Sequence, residues 1–198
     1  MTTRRREPRR PPWVSPGRVT GELVWRRLTR GELGLIWTID RREIVERRYD
    51  FRDGELVSRP DFYDIRGWPP GEPEKEAPIL EATFDRGGVF LGVFDGPRLV
   101  ALAVVDTRPR GPRGDLVQLT FLHVGHDHRR LGLGTELFEA AQAVASQLSA
   151  AGLYVSATPS ENTVGFYLHR GCRVIAEPDP ELFALEPEDI HFECRHDA

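Results

Sequence analysis

The sequence lacks several features that would place it in a specialised class of proteins. No stretch approaches the roughly 18 to 20 consecutive apolar residues that a membrane helix needs. The N-terminus, MTTRRREPRRPPW, is charged but has no apolar segment of the kind found in secretory signals. We therefore expect a cytoplasmic protein that does not interact with a membrane.

Cysteine is also scarce. The two cysteines, Cys172 and Cys194, can form at most one disulfide and cannot supply a tetrahedral cysteine zinc site. For a cytoplasmic protein we expect both thiols to be reduced.

Three histidines lie close together in the sequence, at His123, His126 and His128. Imidazole groups at the end of a strand can bind a metal, but here only Asp127 stands near them as a further ligand. We expect no metal site.

The charge is unevenly distributed. The net charge is −4, but residues 1–10 contain five arginines and one glutamate, so this segment carries +4 and the rest of the chain −8. We interpret residues 1–17 as a disordered, Pro-rich and Arg-rich arm, and residues 18–198 as a single domain. Nucleic-acid or partner binding by the arm is an alternative role, but we do not expect nucleic acid as a partner.

The hydrophobic pattern predicts a mixed α/β order. Thr29 with Glu32 forms a capping-box pattern that opens a helix, and RREIVERRY (41–49) is compatible with a second short helix. Residues 50–73 contain an Asp-Gly turn signal, which predicts a hairpin followed by a loop. The later pattern is a helix at 74–86, two strands joined at 95–97, a strand at 115–124, a helix at 133–148, a strand in LYVSAT, a helix near 160–170, and strands in CRVIAE and EDIHFECR. The strand at 115–124 is apolar on both faces, as in a covered central strand.

The stretch HRRLGLGTELF (128–138) places two arginines and two glycines at the start of a helix. The free N–H groups of Leu131 to Thr135, with Arg129 and Arg130 beside them, could bind a pyrophosphate, although a tight turn alone would also explain the glycines. A Walker loop is excluded because the only lysine is Lys75. A dinucleotide fingerprint needs a glycine where Leu137 stands.

Two motifs together resemble the GNAT superfamily of N-acetyltransferases. Arg129, Gly132 and Gly134 match its acetyl-coenzyme A loop, and they follow a strand that ends at Val124. The segment SENTVGFYLHRGC is similar to the helix that carries an Asn and an aromatic-Tyr pair in this family; the matching positions are Asn162, Phe166, Tyr167, Gly171 and Cys172. The resemblance covers residues 75–177 well.

The resemblance implies an α/β fold with a splayed, mostly antiparallel sheet flanked by helices. It also implies direct acetyl transfer from acetyl-coenzyme A to an amine, with Tyr167 as the catalytic proton donor. The residues implied in donor binding are His123, Val124, Arg129, Arg130, Leu131, Gly132, Leu133, Gly134, Thr135 and Asn162. Asn162 lies five residues before Tyr167, whereas many family members place it further away, which weakens its assignment.

The sequence says less about the acceptor site than about the donor site. Residues 49–87 exceed what a minimal family member has, so we expect this segment to set acceptor specificity, with Trp68 or Tyr63 lining the pocket. The general base stays open among Asp40, Glu43 and Glu46 on the early helices, and His123. A catalytically inactive acyl-coenzyme A sensor, with the basic arm as its binding element, is the alternative. A homodimer stays open as well.

Overall fold

The computed structural model of the protein describes residues 23–196. These residues contain nine strands: β1 (Leu23–Arg27), β2 (Glu43–Arg52), β3 (Glu55–Ile65), β4 (Val89–Asp95), β5 (Arg98–Arg110), β6 (Leu116–Val124), β7 (Gly152–Ala157), β8 (Arg173–Val174) and β9 (Ile190–Arg195). They also contain four α-helices, α1 (Glu72–Asp85), α2 (Leu133–Gln147), α3 (Glu161–Leu168) and α4 (Pro180–Leu185), and two 3-10 helices, Arg30–Thr38 and His126–His128.

Seven of these strands form one sheet, in the order β1-β4-β5-β6-β7-β9-β8. All neighbouring strands in it are antiparallel except β6 and β7, which are parallel. β2 and β3 form a separate ribbon, and β2 reaches the end of β7, where the N–H of Tyr49 donates to the carbonyl of Pro159 at 2.8 Å. The predicted fold class, a mostly antiparallel sheet flanked by helices, is confirmed.

The two faces of the sheet are covered by different helices. Leu137 of α2 packs in one buried cluster with Leu119 of β6, and we call this side the α2 face. Leu80 of α1 packs in a second cluster with Ile36 of the first 3-10 helix and Phe121 of β6, and we call this side the α1 face. β6 therefore buries side chains on both faces, as its apolar pattern predicts.

The predicted short helix at residues 41–49 is wrong, because this segment forms most of β2. β-branched and aromatic side chains, such as Ile44 and Tyr49, favour an extended conformation, and pairing with β3 satisfies the main chain. The predicted Asp-Gly turn is confirmed: Asp53 and Gly54 have φ values of 52° and 83° and join the two strands.

Most other elements lie where the pattern predicts them. Glu32 caps the first helix by accepting a hydrogen bond from the N–H of Thr29 at 2.8 Å, although this helix is of the 3-10 type. The short helix α4 has no counterpart among the predictions. Its N-cap residue, Asp179, accepts hydrogen bonds from the N–H groups of Glu181 and Leu182.

The expectation of two reduced thiols is wrong in this structure, because Cys172 and Cys194 form a disulfide. The fold brings them together: Cys172 follows α3, and Cys194 lies in β9, which borders β8. Both side chains are buried. The bond links the end of α3 to the sheet.

The predicted arm, residues 1–17, lies outside the described residues. In the described part of the chain, no helix combines the length and the apolar character needed to cross a membrane.

Candidate active site

The strands β6 and β7 separate from each other along their length. They pair only at Val117 with Leu153 and at Gln118 with Tyr154. A register shift between β5 and β6 leaves Thr120 as an extra residue in β6 just beyond these pairs, and such a bulge bends the strand. A gap therefore opens between the C-terminal ends of β6 and β7.

Main-chain groups at the end of β6 face this gap. The N–H of Gly125 donates to the carbonyl of Val100 on the β5 side at 2.8 Å. Because antiparallel strands pair through alternate residues, the N–H and C=O groups of Val124 and Leu122 point away from β5. The main chain of His123 faces β5 instead. Main-chain groups along the gap can therefore form hydrogen bonds with an extended ligand that contains amides.

The turn before α2 presents a row of free donors. The N–H groups of residues 130–135 donate no hydrogen bond to another group in the described part of the chain. The first helical bond joins the N–H of Glu136 to the carbonyl of Gly132 at 3.1 Å. Arg130 and Gly132 have φ values of 63° and 88°, which turn the chain sharply into the helix. Free donors and the positive end of the helix dipole favour an anion at this point.

Gly134 lets the first turn of α2 lie close to its neighbours. A Cβ atom at this position would be 3.3 Å from the ring of Phe166 and 3.7 Å from a methyl group of Val124. The loop, α3 and the end of β6 therefore meet at one residue without a side chain, beside the free N–H groups.

Arg129 and Asn162 converge on one carboxylate. The Nε of Arg129 donates to the carbonyl of Val124 at 3.2 Å, and its guanidinium lies 3.5 Å from Glu43. The side-chain amide of Asn162 donates to Glu43 at 2.9 Å. These three side chains connect the loop, α3 and β2 beside the gap. Arg130 is exposed and points its charge toward solvent.

Arg170 is a further cation at the loop that the sequence motifs did not indicate. Its guanidinium donates to the hydroxyl of Thr135 and lies 3.5 Å from the ring centroid of Phe166. Its Nε is buried and has no hydrogen-bond partner within residues 23–196. Arg170 follows α3 by two residues, so only its position after the aromatic pair could have indicated it.

Tyr167 is buried on the α2 face, with 5% of its surface exposed. Its ring contacts those of Phe138, Phe166 and Phe192. Burial raises the pKa of the Tyr167 hydroxyl above its ordinary value, while the charge of Arg170 opposes the rise and the charge of Asp189 adds to it. The hydroxyl makes no hydrogen bond to a described residue. It is therefore a neutral phenol with a proton to donate.

An aromatic cluster lies at the end of β6 on the α1 face. The ring of Trp68 is 4.9 Å from that of His123 and 5.0 Å from that of Trp37, and its N–H donates to the carbonyl of Ile39. Burial, followed by the charges of nearby arginines, lowers the pKa of His123 to about 3. His123 is thus neutral at pH 7 and a weak base. Tyr63, by contrast, lies on the ribbon and is 46% exposed.

A family model supplies the comparison that decides the family. Residues 55–172 match the model of the acetyltransferase (GNAT) family. The chain belongs to this family. The predicted family is therefore confirmed, and with it the general class of acyltransferases.

Solved structures of GNAT-type enzymes share the fold. A nourseothricin acetyltransferase is 15% identical, with a TM-score of 0.61 over 87% of this chain and 98% of its own. A Bacillus anthracis protein described as a streptothricin acetyltransferase, in complex with acetyl coenzyme A, is 15% identical, with a TM-score of 0.63 over 89% and 99%. A PaiA N-acetyltransferase from Thermoplasma acidophilum, in complex with coenzyme A, is 14% identical, with a TM-score of 0.57 over 88% and 99%. A search of curated protein sequences gave no match.

The carboxylates predicted as candidates for the general base of this GNAT protein do not lie on helices. Glu43 and Glu46 lie on the strand β2, not on a helix, and Asp40 follows the first 3-10 helix. Hydrogen bonds from Arg42 lower the pKa of Asp40 to about 2. Glu43 is held by Arg129 and Asn162. The side chains of Asp40 and Glu43 are thus both engaged by neighbouring residues, whereas Glu46 is exposed.

A metal centre finds no support in the part of the chain that the structure describes. There, no group of three or more His, Cys, Asp or Glu side chains is arranged to hold a metal ion. His126 instead contacts the carbonyl of Arg42 through Nδ1 at 3.0 Å, and His128 lies 3.7 Å from Asp95.

Proposed function

We propose that this protein is an N-acetyltransferase that transfers the acetyl group of acetyl-coenzyme A directly to a primary amine of a small molecule or of a protein. One observation carries the proposal: six consecutive free N–H groups, residues 130–135, stand beside a gap that lies between β6 and β7. Membership of the acetyltransferase (GNAT) family supports acetyl-coenzyme A as the donor.

The residues at the loop fit the donor. A pyrophosphate needs several N–H donors and positive charge, and the start of α2 offers both. The residues assigned to it are Arg129, Arg130, Leu131, Gly132, Leu133, Gly134 and Thr135. Neighbours that share this fold and were solved with acetyl coenzyme A or coenzyme A support the assignment.

The gap fits the extended arm of the donor. Val124 offers an N–H that can pair with an amide of the arm or polarise the thioester carbonyl. His123 shapes the gap with its side chain, since its main chain faces β5. Asn162 acts through Glu43, which it holds against Arg129. Asn162 is thus assigned to the geometry of the donor site.

Tyr167 is assigned as the general acid. Its side chain is buried, and its neutral hydroxyl has no hydrogen-bond partner among the described residues, so it is available to protonate the departing thiolate. The acceptor approaches from the α1 face, where Trp68 lies against His123 at the end of β6. Segment 49–87, which contains Trp68, sets the specificity for the acceptor.

Two measurements test this function. Acetyl-coenzyme A should raise the melting temperature of the protein, because a ligand that binds only the folded state stabilises it. A library of amines should then be screened by mass spectrometry for the addition of one acetyl group, and release of the coenzyme A thiol should require the selected amine.

The alternative, an inactive acyl-coenzyme A sensor, predicts a different result. It predicts stabilisation by acetyl-coenzyme A without acetylation of any amine across a broad library. No stabilisation at all would contradict both functions.

A further inference from the structure

A polar pair on the α1 face lies at the edge of the gap. The hydroxyl of Ser156 donates to a carboxylate oxygen of Asp189 at 2.8 Å. Ser156 comes two residues after Tyr154, which is the last residue of β7 that pairs with β6. On either side of Ser156, Val155 and Ala157 are buried on the α2 face, so Ser156 points to the α1 face. The carboxylate of Asp189 is therefore held next to Ser156, just beyond the last residue of β7 that pairs with β6.

A buried polar atom that has no partner among the described residues lies next to this pair. His191 stands directly opposite Ser156 in the β7–β9 pairing and is 4% exposed. The Tyr154 oxygen accepts from the N–H of Asp179 at 2.8 Å and lies 2.8 Å from Nδ1 of His191. The other ring nitrogen, Nε2, is buried and has no hydrogen-bond partner in the described part of the chain. A buried polar atom of this kind is costly unless something else pairs with it.

The opposite side of the gap also carries an unsatisfied polar atom. Thr120 comes two residues after Gln118 on β6, as Ser156 comes two residues after its partner Tyr154 on β7. The hydroxyl of Thr120 is buried and has no hydrogen-bond partner among the described residues. Each strand therefore carries a polar side chain just beyond the last pair that joins them, which is an arrangement that suits a polar ligand.

We propose that Asp189 binds the ammonium group of the acceptor and takes its proton. This proposal rests on the proposed function and names its acceptor class as cationic primary amines. The groups that act on Asp189 are Glu186 and Glu188 of its own loop and Lys75 of α1, whose ammonium lies 2.7 Å from Glu186.

The electrostatic surroundings suit this role. Burial is the main effect that raises the pKa of Asp189 to about 6, against an ordinary 3.8, while the hydrogen bond from Ser156 opposes the rise. At pH 7 the carboxylate is ionised and can bind a cation, yet it is a stronger base than an exposed aspartate. The charge of Asp189 also acts on the Tyr167 hydroxyl.

Two residues, Asp189 and Tyr167, carry the protons in the proposed reaction. The carboxylate of Asp189 takes one proton from the ammonium, which leaves a neutral amine with a free electron pair. A bond forms between this nitrogen and the thioester carbonyl carbon, and the bond from that carbon to sulfur breaks. Tyr167 gives its proton to the sulfur and regains one from the nitrogen. Asp189 then releases its proton to solvent, so one proton leaves for each amide formed.

The test compares Asp189→Asn with the parent enzyme on two small amines. n-Propylamine is protonated at pH 7, whereas methoxyamine is already neutral. For n-propylamine we expect kcat/KM at pH 7 to fall by about 100-fold or more in Asp189→Asn, since general-base catalysis contributes about this much. For methoxyamine we expect a loss of less than about fivefold, because no proton has to be removed before attack.

Two further variants complete the test. Ser156→Ala should move the acidic limb of the kcat/KM profile of the parent enzyme to higher pH, because the carboxylate loses a hydrogen bond that favours its ionised form. Glu177→Gln, an exposed acid between β8 and α4, serves as the control and should retain parental kcat/KM within about twofold.

Equal losses of kcat/KM on both amines in Asp189→Asn would show a structural role and overturn the proposal. A kcat/KM of Asp189→Asn on n-propylamine equal to that of the parent enzyme would overturn it as well. In that case, stabilisation by acetyl-coenzyme A and turnover by the parent enzyme would still support the proposed function. No turnover by the parent enzyme on any amine would contradict the proposed function and, with it, the role of Asp189.

Discussion

The side chain of Arg129 reaches back from the loop to the end of the strand before it and donates from Nε to the carbonyl of Val124 at 3.2 Å. This bond fixes the strand edge relative to the row of free N–H groups that follows. The bond therefore connects the end of β6 to the loop before α2, which would bind different parts of the donor.

Loss of this bond should weaken donor binding. We expect Arg129→Ala to raise the KM for acetyl-coenzyme A by about tenfold, which corresponds to about 1.4 kcal/mol. Arg173→Ala removes an exposed arginine of β8, which has no role in the donor site, and should change this KM by less than about threefold at moderate salt. Steady-state kinetics with acetyl-coenzyme A as the varied substrate check both, and equal effects of the two substitutions would contradict the assigned role of the Arg129 bond.

The conformation of Gly132 should matter in the same way. Its φ of 88° is strained for any residue with a Cβ, so we expect Gly132→Ala to cost about 1 kcal/mol of folding free energy and to weaken acetyl-coenzyme A binding. Gly165→Ala is the matched control, because Gly165 lies in α3 with open space around it. That substitution should be neutral or slightly stabilising. Denaturant unfolding and calorimetric binding measure both, and undiminished acetyl-coenzyme A binding by Gly132→Ala would argue against the phosphate site.

The aromatic cluster gives a prediction for the acceptor. Trp68→Ala should raise the KM for the selected amine by about tenfold or more while leaving the KM for acetyl-coenzyme A within about threefold, since Trp68 lies against His123 on the acceptor side. Tyr63→Ala should change both less, because this side chain is exposed on the ribbon. An unchanged acceptor KM in Trp68→Ala would remove Trp68 from the acceptor pocket.

The partly buried carboxylate of Asp189 should make folding stability depend on pH. The pKa of Asp189 in the folded state, about 6, exceeds its ordinary 3.8, so between these values the folded protein binds more protons than the unfolded chain, and stability falls as pH rises. Asp189→Asn removes this effect. At about pH 8 it should be more stable than the parent protein by about 2 kcal/mol, and at about pH 4 the difference should be small. A stability difference that does not change with pH would contradict a partly buried, ionised Asp189.

Sequence periodicity predicted the elements that bury one continuous apolar stripe, such as α2, and the central strand β6. It failed at residues 41–49. The charged residues there obscure the hydrophobic pattern of a strand, and the segment is extended because it pairs with β3, which lies later in the sequence. Candidate site residues could be predicted where a local motif contains them, as with Gly132 and Tyr167, and their roles stay predictions. The carboxylate of Asp189 could not be predicted, because only the pairing of distant strands brings it to Ser156. The disulfide depends on the same long-range pairing.

The central claim is that the protein is an enzyme in which Tyr167 protonates the leaving thiolate. The direct measurement is the kinetics of Tyr167→Phe with the amine selected from the library, alongside calorimetric binding of acetyl-coenzyme A. We predict that kcat falls by about 100-fold or more while the Kd for acetyl-coenzyme A changes by less than about threefold. An unchanged kcat would contradict the assigned role of Tyr167, and equal losses in kcat and in donor affinity would show that Tyr167 only supports the donor site.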